Sequence, residues 1–134
     1  MPAHFLATLP NFLAYLGTAL VLFAVFVTIY LYVTPYDEIA LIRSNNAAAA
    51  ISLSGALLGF AMPIANVIAH SDTLLDLAVW GVVAGVVQLL AWILARVALP
   101  NLQEDIAAGR TAPATLVAAL SVTIGLLNAA SMTY

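Results

Sequence analysis

With 134 residues, 65% of them hydrophobic and only 7% charged, the chain has too little polar surface to cover a water-soluble globule, since soluble domains run at about 45–50% apolar and about 25% charged. Three arginines, no lysine and six acids leave a net charge of −3, which excludes nucleic acid as a partner and polybasic sensing of lipid headgroups, because both need clustered basic groups. There is no cysteine, so disulfides, thiolate chemistry and zinc–sulfur sites are excluded too.

A hydrocarbon core about 30 Å thick needs about 20 apolar residues in a helix. Four uncharged runs of that length occur: Phe12 to Thr34, Ala47 to Ala69, Leu77 to Ala98 and Pro113 to Thr133. The expectation is an all-α membrane protein of one integral domain, with four transmembrane helices arranged as two tandem helical hairpins. The first span follows a leader without Lys or Arg and lacks a small-x-small cleavage site, so it is expected to be retained. Pro35 and Pro100 end the first and third spans, Pro113 suits the first turn of the fourth, and Ser71 with Asp72 can cap the third.

Three polar connections separate the spans, Pro35 to Asn46, His70 to Asp76 and Leu99 to Ala112. Arg43 and Arg110 lie in the first and third, and Arg96 lies at the adjoining end of the third span. These odd connections are therefore expected in the cytoplasm, with both termini outside. Tyr30, Tyr32, Tyr36, Trp92 and Tyr134 fall near the ends of spans, where amphipathic aromatics settle at the membrane interface. Asp37–Glu38 and Glu104–Asp105 read as solvent-facing pairs with no partner for a metal shell, and His4 and His70 as isolated and external. With no Asp, Glu or His inside a span, a proton relay has no carrier. No catalytic residue, metal site or cofactor is expected.

A shift of 65 residues places Pro35 on Pro100 and the start of the second span on that of the fourth, and one more residue brings Gly59 onto Gly125. The chain therefore reads as a tandem duplication, with one repeat over about 12–69 and the other over about 77–133. At about 100° per residue, Ser52, Gly55, Gly59, Pro63 and Asn66 share a stripe of the second span. Gly81, Gly85, Gln88, Trp92 and Arg96 share one of the third, and Ala114, Ser121, Gly125 and Asn128 one of the fourth. The first span has only a weak stripe, Ala14, Gly17, Ala24 and Thr28. Gly55 to Gly59 and Gly81 to Gly85 are both GxxxG, which lets helix backbones approach closely. The glycines, Gly125 included, are thus candidates for helix packing. Ser52, Asn66, Gln88, Arg96 and Asn128 are candidates for an intramembrane polar lining, with interhelical bonding as the structural alternative and headgroup contact the expected role of Arg96.

These residues carry a resemblance. Ile42-Arg-Ser-Asn-Asn-Ala-Ala48, Ser54-Gly-Ala-Leu-Leu-Gly-Phe60, Trp80-Gly81, Val87-Gln-Leu-Leu90, Pro100 and Gly125-Leu-Leu-Asn-Ala-Ala-Ser-Met-Thr-Tyr134 are similar to the YjfL-like bacterial inner-membrane family, built on domain of unknown function 350. The family pattern often has cysteine at the position of Ser131, so no thiol role carries over there. The resemblance implies an inner-membrane location and a link to envelope or membrane stress, and it supplies no catalytic residues. Two functions remain open: a small homo-oligomeric membrane scaffold whose cytoplasmic connections dock a soluble partner, and an oligomeric channel or transporter for an ion or small solute.

Overall fold

The computed structural model describes residues 2–132, with side chains from Leu6 onward. The side chain of His4 and all of Thr133 and Tyr134 lie outside the described residues. The chain forms α1 (Pro2–Val33), α2 (Glu38–Arg43), α3 (Ala47–His70), α4 (Leu74–Ala98), α5 (Leu102–Ala107) and α6 (Thr111–Ser131). Four of these, α1 from Leu6 together with α3, α4 and α6, are long and apolar enough to cross a membrane. Most large apolar side chains on their outer faces are exposed, including Leu13, Leu20, Val82 and Leu90, as lipid contact requires.

Local chemistry sets the ends. The first helix stops at Val33, two residues before Pro35, and α4 stops at Ala98, two before Pro100, because a proline disfavours helical backbone at the residue preceding it. At its other end α1 begins ten residues before the expected Phe12 and runs through Pro10. Thr73 caps α4 in place of Ser71 and Asp72, its hydroxyl accepting from the Asp76 amide at 3.1 Å, so that helix starts at Leu74. Asp37 caps α2 and Asn46 caps α3 in the same manner.

The two polar connections that bear arginines are partly helical. α2 and α5 each have six residues and each is followed by a left-handed residue, Asn45 (φ 69°) and Gly109 (φ 81°), which ends the helix by turning the chain. A long–short–long order therefore occurs twice. Asn46 ties the two connections together at one end of the bundle: its Nδ2 donates to the Ile106 carbonyl at 2.9 Å. Leu102 and Ile106 seat α5 in the interior.

Packing does not follow the hairpins. The broadest contact joins α3 to α6, one from each half, and α4 lies across both. α1 rests mainly on α4 and touches α3 more lightly, through Phe26 stacked on Phe60 at 4.3 Å and Phe23 edge-on to it at 4.8 Å. Hairpins thus describe the order of the helices, while residue size decides which of them pack closely.

Candidate functional site

The α3–α6 crossing is made of backbone. A methyl built on Gly125 would fall on the backbone of Gly59, and one on Gly55 would meet the Ala118 Cβ at 2.6 Å and its carbonyl at 2.9 Å. Gln88 reaches into this crossing from α4: it is 1% exposed, and its Nε2 donates to the Ser121 carbonyl at 2.9 Å. Near the opposite end, Asn66 Nδ2 donates to the Ala129 carbonyl at 2.7 Å. Ser52 is buried and its hydroxyl bonds back to Ala49. Gln88 Oε1 and Asn128 Nδ2 are buried without a hydrogen-bond partner.

The other candidates sit differently. Gly81 faces the flexible end of Leu22, and a methyl on Gly85 would meet only Phe60 and Phe26 at 3.6 and 3.7 Å, an ordinary contact. The second GxxxG therefore accommodates side chains and brings no backbone close. Arg96 does not join the interior stripe; it is exposed, with its guanidinium 5.6 Å from the centre of the Trp92 ring. On α1 the buried face is Ala19, Phe26 and Tyr30; of the weak stripe Ala14, Gly17, Ala24 and Thr28, the last three are exposed on the opposite side and Ala14 is half-buried. Bulky aromatics fill the gap that small residues were expected to close.

A second correction concerns the acids. Asp37 is exposed, whereas Glu38 is 1% exposed. The α2 helix turns Glu38 to the side that also carries Leu41 and Ile42, and that side faces the bundle. One carboxylate oxygen, Oε1, accepts from the Thr34 hydroxyl at 2.5 Å, and Oε2 has no partner. Tyr30 and Tyr36 lie close enough to feel its charge, and the Tyr36 hydroxyl is near Ser52 and Trp92. The Tyr30 hydroxyl is buried without a hydrogen bond. Tyr30 and Trp92, at 1% and 2% exposed, are thus interior parts of this cluster and not interface anchors; Tyr32 is the fully exposed one.

Burial pushes the Glu38 carboxyl from 4.5 up to about 7, against the opposing effect of the Thr34 hydrogen bond. Burial first, and the Glu38 charge second, push Tyr36 up to about 12. No described residue offers Glu38 a cation: the ion pair found among them is the exposed Arg110–Asp105 contact at 3.3 Å. The cluster can therefore hold or release one proton near neutrality, and no group of three His, Cys, Asp or Glu able to hold a metal occurs among the described residues. An acid in a polar connection gave the sequence reading no reason to place it inside; the signal present was the spacing Glu38, Leu41, Ile42, one face of a helix turn.

Nearly the whole chain, residues 4–132, matches the family described as Domain of Unknown Function (DUF350). The chain belongs to the DUF350 family. It is 34% identical over 131 residues to the "UPF0719 inner membrane protein YjfL" of Escherichia coli (strain K12), covering 98% of this chain and 99% of that one. It is 28% identical over 92 residues to the "UPF0719 transmembrane protein YshE" of Bacillus subtilis (strain 168), covering 69% of each. No solved structure matches. Four apolar helices and these relatives make it a multi-pass membrane protein.

Proposed function

We propose that this DUF350 protein is a non-enzymatic assembly unit of the bacterial inner membrane. The observation that carries the reading is the fate of the polar and small stripes. Gly55, Gly59, Gln88, Ser121 and Gly125 close against one another inside one copy, which takes these groups out of any solute path and leaves apolar side chains on most of the outer surface of the described spans. In this reading both termini face the outside and the odd connections the cytoplasm, supported by Arg43, Arg96 and Arg110 at one end. There the paired short helices α2 and α5, with Arg43 and Arg110 exposed, offer a docking surface for a soluble partner. The family resemblance points the unit toward envelope or membrane stress, and the Glu38 carboxyl, poised near neutrality beneath α2, would make that surface responsive to acidification.

Purified protein in liposomes tests the choice between scaffold and conduit. The scaffold reading expects an oligomeric mass and no ion or solute flux above empty vesicles; flux that disappears in Gln88→Leu protein of normal fold would replace it with the conduit. An active cytoplasm-only reporter fused after Tyr134 would overturn the orientation.

A further inference from the structure

The corner between α1 and α2 has more acceptors than hydrogens when Glu38 is ionised. Leu31 lies four residues before Pro35, so its carbonyl lacks the amide that would bond it inside a longer helix. The Thr34 hydroxyl takes that place, donating to the Leu31 carbonyl at 3.2 Å. The same hydroxyl lies 2.5 Å from Glu38 Oε1. A hydroxyl has one hydrogen to give and lone pairs to accept another. With Glu38 ionised, Thr34 donates to Glu38 and leaves the Leu31 carbonyl without a donor. With Glu38 neutral, the acid donates to Thr34, which keeps its bond to Leu31, and both contacts are hydrogen bonds at once. A separation of 2.5 Å suits donation in either direction; the number of hydrogens is what separates the two forms.

The other oxygen favours the same form. Oε2 is buried without a partner, which costs far less for the carbonyl of a neutral acid than for half of a carboxylate charge. The groups around it are Tyr30 and Thr34 of α1 and Tyr36 of the connection, with Ser52 of α3 and Trp92 of α4 beyond Tyr36. None is a cation. Arg43 and Arg96 are exposed, as is the neighbouring acid Asp37, and Arg110 pairs with Asp105. The α2 helix in turn depends on this seat. It has six residues, and a helix so short does not persist in water unsupported. Glu38 with Leu41 and Ile42 forms the side that docks on the bundle, and the chain bends on both flanks, at residues 34–36 and at Asn45.

We propose that Glu38 is a proton-binding site that latches α2: with its proton it completes the chain through Thr34 to Leu31 and seats the helix, and without it the buried charge draws α2 off the bundle into water. The carboxyl, at 4.5 when solvated and about 7 when seated, sets the change near neutrality, so acidification closes the latch. Arg43 lies in the last turn of α2 and moves with it, so the surface that it forms beside α5 is complete only in the closed state. The use of that surface rests on the assembly-unit reading and deepens it; the latch itself does not depend on it.

Hydrogen exchange of the full chain in lipid nanodiscs reads the latch at the Leu41 and Ser44 amides, which bond to the Asp37 and Ala40 carbonyls at 3.0 and 3.1 Å. Corrected for the intrinsic pH dependence of exchange, their protection should fall about tenfold per pH unit between about pH 5 and 7, as one linked proton requires, and level off above, with α3 still protected at pH 8. Glu38→Gln supplies an amide that is neutral at every pH and should hold the acid-side protection throughout. Infrared difference spectra of wild type between pH 5 and 8 should show the C=O stretch of a neutral acid, absent from Glu38→Gln, and this reading stands even if the variant folds poorly. A neutral-acid band that titrates while α2 protection stays constant would mean that Glu38 ionises in place, which overturns the latch. No such band at pH 5 would mean a carboxylate throughout and overturns it as well. Either result leaves the assembly unit standing; a monomeric mass in the same nanodiscs overturns that unit whatever α2 does.

Discussion

α6 meets α3 through main chain, Gly125 on Gly59 and Ala118 on Gly55, whereas α1 meets its neighbours through side chains, Phe26 and Phe23 on Phe60 and Leu22 on Gly81. Both contacts bury apolar surface, but they respond differently to added volume. A backbone crossing has no rotamer to yield, so an extra methyl must push two helices apart; a phenyl or leucyl tip can turn aside. The same motif, GxxxG, occurs on both α3 and α4, and only its surroundings distinguish the rigid use from the tolerant one.

The sharpest break of this comparison is at the crossing. Gly125→Ala or Gly59→Ala should lower stability by about 1–3 kcal/mol or more, because the new Cβ would overlap backbone atoms of the facing helix. Thermal unfolding in detergent measures it. Leucine at either position should prevent the native fold from being recovered at all.

A second expected effect, of similar size but dependent on pH, belongs to Glu38. Its carboxyl is pushed from 4.5 to about 7 in the folded protein, so between those values the folded state holds more protons than the unfolded state. Stability from this group is then highest below pH 4.5, falls as pH rises toward 7 and is flat above, by at most on the order of 3 kcal/mol. Glu38→Gln keeps the hydrogen bond acceptor for Thr34 and removes the charge. It should be more stable than wild type at pH 8 and lose most of this slope; an unchanged pH profile of melting would show that the carboxyl is solvated.

Gln88 falls lower in the order. Gln88→Leu removes one interhelical bond, about 1 kcal/mol, yet it also removes Oε1, which is buried without a partner and whose desolvation opposes folding. The two effects partly cancel, so a melting change below about 1 kcal/mol is expected, with flux in liposomes unaltered.

How far the sequence reached is visible in the same contrasts. Span number, helix breaks at Pro35 and Pro100 and the interior side of α3 and α6 were legible, because twenty apolar residues in a row and a 3.6-residue stripe are local signals. Glu38 was not, since whether a polar connection folds back under a bundle depends on what lies sixty residues away, here the bond from Asn46 to Ile106. The buried face of α1 was missed for a related reason. Small residues mark a close crossing, but Phe26 and Tyr30 are bulky enough to bridge a wider one, and the sequence carries no measure of interhelical distance.

The smallest effect tests that last point most finely. At Gly85 a Cβ would sit 3.6 Å from Phe60 Cε1 and 3.7 Å from Phe26 Cδ1, within ordinary contact, so no atom has to move. Replacing a mid-helix glycine by alanine also reduces the freedom of the unfolded chain, which stabilises a helix by about 0.8–1 kcal/mol in water. Inside a membrane the unfolded reference retains more helix, so the gain should be smaller, a few tenths to about 1 kcal/mol. Gly85→Ala is therefore expected to melt at or slightly above wild type, while Gly59→Ala, the equivalent change in the other GxxxG, melts well below it. Equal losses at the two positions would mean that α4 also crosses its neighbours backbone to backbone, and the distinction drawn between the two contacts would fail.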